Sequence, residues 1–132
     1  MKNYLDRIIE FSDQLGLEIL QKDEAEALLI VHAENRGIYN LILDVEDPIL
    51  VMEQLIYPVS NPSIEHYQGL LQINRQLVHG AFVLDEDGKN VLFRDTLQIE
   101  NLDFNEFEGS INALSMGLAE FSGELLQLNQ GS

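Results

Sequence analysis

The chain has 132 residues, 23 acids against 7 Lys and Arg for a formal charge of −16, no cysteine, and 45% hydrophobic residues. That size fits one domain with a core of its own, and the charge repels phosphate backbones and anionic lipid heads, which argues against nucleic-acid and membrane-surface binding. Without cysteine there are no disulfides, zinc–thiolate centres or thiol nucleophiles.

The first residues, Met1 to Arg7, carry no apolar signal-peptide core, and the longest apolar run, Ala27 to Val31, is far short of a membrane span. The expected location is the cytoplasm. Residues 3–15 read as an amphipathic helix, with Tyr4, Leu5, Ile8, Ile9 and Leu15 at helical spacing and Gly16 as its stop. Leu17 to Gln21 is a short strand candidate, and Ala27 to Ala33 is a further apolar, β-rich run. Asn35-Arg36-Gly37 supplies a turn. Ile38 to Val45 alternates, so Tyr39, Leu41, Leu43 and Val45 are expected on one face. Asp47-Pro48 breaks that run, and Ile49 to Tyr57 follows as another strand. Three strands in sequence with short turns imply an antiparallel meander.

Asn61-Pro62 reads as an N-cap and first position for a second helix running to about Leu77. Gly80–Leu84 and Val91–Leu97 form a hairpin around Asp87-Gly88. In the last helix Asp103 and Glu106 take capping-box positions, and Leu102 and Phe107 those of a hydrophobic staple. An apolar stripe then runs from Phe104 to Leu128 in alternating steps of three and four. It either packs on the sheet or forms an exposed seam. Off it, Gly109, Ala113 and Gly117 form a row of small residues that either admits a close neighbour or is merely tolerated. The expected fold is α+β, an antiparallel sheet with helices packed on it in the order α-β-β-β-α-β-β-α, as one domain over residues 1–132.

Catalytic patterns do not emerge. There is no nucleophile elbow and no phosphate loop. His32, His66 and His79 lack metal-ligand spacing. Aligning Asp85-Glu86-Asp87-Gly88 on a calcium loop puts Val83 first and Arg94 last, neither of which can serve. Glu100, Asp103, Glu106 and Glu108 read as helix-start acids. No catalytic residue, metal site or cofactor is expected.

The segment from Leu70 to Phe93 resembles the core of the type III secretion chaperone family of the Tir-chaperone (CesT) type. Leu70, Leu71 and Asn74 match its leucine-leucine-x-x-asparagine helix end, Gly80 opens a strand, and Leu84, Asp85, Asp87, Gly88 and Leu92 match its hairpin. Leu97, Leu102 and the long last helix continue the likeness. The resemblance implies a homodimer, without ATPase activity, that holds an extended segment of a secreted partner soluble. It implies partner contacts from Tyr4, Leu5, Ile8, Leu50 and Met52, and a dimer interface near Ile64, Tyr67 and Leu71. The YbjN-like bacterial proteins share the fold and a similar helix-to-hairpin pattern, which leaves open a regulatory or adaptor module binding a folded partner. A small-molecule or enzymatic domain using a pocket near His79 is the remaining alternative.

Overall fold

A computed structural model describes residues 3–131. Its elements are α1 (Tyr4–Gln14), β1 (Glu18–Asp23), β2 (Leu28–Ala33), β3 (Ile38–Glu46), β4 (Ile49–Pro58), α2 (Ile64–Asn74), β5 (Ala81–Leu84), β6 (Asn90–Gln98) and α3 (Phe104–Gln130). The six strands form one antiparallel sheet in the order β1-β2-β3-β4-β6-β5. The α+β class is as expected. There is one strand more than the expected order held, because the short candidate after α1 is a full six-residue strand.

Helix α1 starts where Asn3 Oδ1 accepts the Asp6 N–H at 3.2 Å, and it gives way to Gly16 at φ +76°. Its inner face buries Leu5 and Ile8. The Arg7 guanidinium straps it to the β6–α3 connection by donating to the Glu100 and Leu102 carbonyls.

Strand β3 departs from the expected alternation. Asn40 sits at φ +52°, and the β2–β3 register shifts between Val31 and Ala33. The irregularity turns Tyr39 outward, 48% exposed, and leaves Ile38 in the core. Beyond it Leu41 and Leu43 are buried as the pattern expects.

Cross-strand register then separates two faces. Leu29, Leu43 and Met52 lie side by side, as do Leu50 with Leu97 and Gln54 with Phe93 and Phe82. This face carries the core and all three helices. The other face holds Leu28, Asp44, Val51 and Thr96 in one row and Ile30, Ile42, Glu53 and Arg94 in the next. None of those side chains belongs to the cluster packed under the helices.

Helix α2 starts two residues later than the sequence suggests. Ser63 is the cap, its Oγ accepting the His66 N–H at 3.1 Å. Asn61 is engaged elsewhere: its Nδ2 donates to the Leu128 carbonyl of α3 at 2.9 Å. The helix ends at Asn74 rather than Leu77. Gly69 lets α2 meet α3 closely, since a Cβ there would lie 2.6 Å from a Leu128 methyl.

Helix α3 has both bonds of the capping box, Asp103 to Glu106 and back. Its stripe is core: Phe107, Ile111, Leu114, Phe121 and Leu125 are buried. Each such side chain stabilises by roughly 2 kcal/mol relative to exposure. Among the described residues no helix is long and apolar enough to cross a membrane.

Candidate protein-binding surfaces

The two ends of the sheet are built differently, and each lies beside a groove. At the β5 end the groove between helix and strand measures about 350 Å³ and is lined by Tyr67, Leu70, Leu71, Phe82, Val83 and Leu84. Its geometry depends on Asn74. The Asn74 side chain accepts the Phe82 N–H at 2.8 Å and donates to the Phe82 carbonyl at 3.0 Å. Both backbone groups of Phe82 therefore point away from β6 and are taken up by one side-chain amide, which stands where another strand would pair. Ending α2 at Asn74 lets its side chain reach over. Gly80, at φ +73°, opens the strand, because a Cβ there would lie 2.4 Å from the Phe93 ring.

Above this groove α2 carries apolar side chains the core does not use. Ile64 is 78% exposed and Leu71 71%, while Tyr67 is half-buried against the core. The three expected dimer-interface residues thus lie on one helix, two of them bare.

At the other end, β1 pairs only with β2. It carries Glu18, Gln21 and Lys22 in the open, and the register shift between Ile19 and Gln21 leaves Leu20 as a bulged, exposed residue. Near its far end α1 and the β2–β3 pair bound a groove of about 520 Å³, lined by Tyr4, Leu5, Glu24, Ala27 and Val45. Of the five expected partner-contact residues only Tyr4 is not buried, and it is half-buried against the core. Leu5, Ile8, Leu50 and Met52 are buried under the helices; Leu5 shows a margin to the groove, and the other three are packing residues.

The histidines are in separate surroundings. His66 is fully buried, its Nδ1–H donating to the Asn61 carbonyl at 2.8 Å and its Nε2 accepting the Tyr57 hydroxyl at 2.8 Å. Burial pushes the Tyr57 hydroxyl up to about 12. His32 meets Tyr39 edge-on at 5.3 Å between ring centres. His79 is exposed on the α2–β5 connection, beside a shallow groove along α3 lined by Val78, Gly109, Ala113 and Met116. Gly117 of the small-residue row admits Leu77, 3.4 Å from where its Cβ would be, while Gly109 faces open space. Among the described residues no three His, Asp or Glu side chains are placed to hold a metal. The Asp85 run is a turn: Asp85 accepts from Lys89 N, Asn90 N and Asn90 Nδ2, and those bonds, the Asn90 side chain first, hold its carboxyl below its ordinary value.

The His66 relay and the Asn74 plug are what the sequence reading missed. A histidine inside an amphipathic helix and an asparagine at a helix end were the available signals.

Comparison with known proteins places this architecture. The family model CesT_Tir_1 matches residues 1–131. A search of curated proteins finds no match. Among solved structures, the chain is similar to YbjN from E. coli, described as a candidate transcription regulator, at 18% identity and a TM-score of 0.70, covering 91% of this chain and 92% of that one. It is similar to a chain of the ExsC–ExsE complex, at 19% identity and 0.65, covering 97% and 95%. It is also similar to the Yersinia pestis type III secretion chaperone SycH, solved with a stable fragment of YscM2, at 20% identity and 0.57, covering 96% and 99%.

Proposed function

The chain belongs to the CesT_Tir_1 family, and from that membership we propose that it is a non-catalytic cytoplasmic chaperone, a homodimer that holds an extended segment of a protein client soluble without ATP. The observation that carries the reading is the bare apolar face of α2. Ile64 and Leu71 are exposed while the core closes without them, and a surface of that kind marks an association site. In this reading Ile64, Tyr67 and Leu71 meet a second copy. The Asn74 amide closes the backbone edge there, so the association is through side chains.

The client side lies at the other end. Strand β1 offers a row of backbone groups to an added strand, and the neighbouring groove with Tyr4 and Leu5 takes side chains. The likeness to SycH and to a chain of the ExsC–ExsE complex, each solved with a protein partner, supports such a role. The charge of −16 further keeps a protein with bare apolar surface soluble.

The test is an affinity purification of the tagged protein from its native cells, with mass spectrometry and limited proteolysis of the complex. One dominant client, bound through a segment that is protease-sensitive when free and protected when bound, supports the chaperone. Recovery only of partners that are folded before binding sinks it and favours an adaptor module.

A further inference from the structure

The sheet face turned away from the helices is neither core nor an ordinary wet surface. An antiparallel sheet with one solvated face reads apolar inward and polar outward. Here the outward positions include Ile30 and Ile42 side by side, Val51 on the neighbouring row, and Leu55 opposite Leu92. Leu55 is 57% exposed, whereas Val51 is only 8% exposed although it lies outside the cluster packed under the helices. Its own face shields it.

Charge on this face is one-sided. Asp44 is flanked in register by Leu28 and Val51, and Glu53 by Ile42 and Arg94. Glu46 follows on β3. Arg94 is the base of these rows, and its Nη1 is engaged with Glu53 Oε2 at 2.9 Å. Burial first, then the charges of Glu46 and Glu53, hold the Asp44 carboxyl above its ordinary value. Face-to-face pairing with a second copy would press these like charges together, so self-association does not suit the surface. An occupant that brings cations relieves the crowding and covers the apolar side chains.

We propose that the open sheet face is a docking surface for a protein segment that alternates apolar residues with lysine or arginine, its cation seated by Asp44 and Glu53 and its apolar side chains over Ile30, Ile42, Val51 and Leu55. This surface is separate from the α2 face and the β1 edge, and the inference stands or falls independently of the chaperone reading.

The probe is a short fluorescein-labelled peptide alternating valine and lysine, read by anisotropy against the full chain. A glycine–lysine peptide keeps the charge and drops the apolar groups. Three variants, Asp44→Asn, Leu55→Lys and Glu120→Gln, change the net charge by the same amount, and all alter non-core side chains. The expected result is binding of the valine–lysine peptide that weakens about ten-fold in D44N and L55K, and stays within about two-fold in E120Q, which lies on exposed α3. The glycine–lysine peptide binds at least about ten-fold more weakly. Methyl resonances of Ile42, Val51 and Leu55 shift on titration. The inference is overturned if the valine–lysine peptide does not bind, if E120Q weakens binding as much as D44N, or if the shifts gather at Leu5, Ala27 and Val45. That last outcome would leave the chaperone reading standing.

Discussion

The two edges of the sheet solve the same problem in opposite ways. An unpaired strand invites another chain to pair with it. Strand β1 leaves its backbone open but makes itself unattractive with a bulge at Leu20 and the charges of Glu18 and Lys22. Strand β5 does the reverse: its four residues, Ala-Phe-Val-Leu, are all apolar, and its backbone is closed at Phe82 by Asn74. The first edge can take a strand but offers few side chains, and the second offers apolar surface but little ladder. A molecule with one of each can recognise two different kinds of surface.

The comparison breaks most sharply at Gly80. Gly80→Ala would force a side chain into the left-handed region and against the Phe93 ring, and is expected to cost about 2–4 kcal/mol in denaturant unfolding. Next is Asn74→Ala, which strips both groups of Phe82 of their partner. It should cost about 1–3 kcal/mol and make the protein self-associate with time in light scattering. An N74A protein as stable and monodisperse as the parent would show that β5 does not depend on its plug.

Leu71→Glu sharpens the contrast without touching the fold. Its stability should stay within about 0.5 kcal/mol of the parent, while sedimentation should show a monomer for the variant against the proposed dimer for the parent. Leu20→Lys on β1 should change neither stability, beyond about 0.5 kcal/mol, nor dimerisation; a monomeric L20K protein would place the subunit contact at the wrong edge. The smallest effect lies between the edges. The folded-state pKa of Asp44 is raised, so the folded chain binds that proton more tightly and gains stability as pH falls through the folded pKa towards the unfolded value. At neutral pH the ionised group is a cost, and Asp44→Asn should stabilise by no more than about 0.5 kcal/mol. The gain should shrink in thermal melts as the pH falls and be lost below the unfolded value of 3.8.

Elements governed by neighbours in sequence were legible. The Asp103 capping box, the stop at Gly16, the Asp85–Gly88 turn and the α3 stripe each depend on residues a few places apart. The start of α2 was not, because Asn61 serves a carbonyl 67 residues away and leaves Ser63 to cap. Tyr39 was placed inward because alternation carries no sign of the kink at Asn40. Of the candidate site, the sequence carried the apolar character of its residues but not their exposure. Ile64 and Leu71 are exposed, Leu5 is buried but borders the α1 groove, and Ile8, Leu50 and Met52 are packing residues. A sequence shows that a side chain is apolar, and only the layering of helices over one face decides whether it is covered. The open face, with Val51 and Leu55 on the same strand as Leu50 and Met52, drew no attention for the same reason.

The Asn74 amide also sets how far copies of this protein can grow into one another. Fibrils lengthen by strand pairing because each added unit presents a new free edge. Here one end of every sheet is occupied by the molecule's own helix. Pairing through β1 therefore consumes the open edges of two sheets and leaves neither with a free edge, so strand pairing by itself stops at two sheets. An open edge of this kind is tolerable at high concentration because a single side chain makes the sheet a one-ended template.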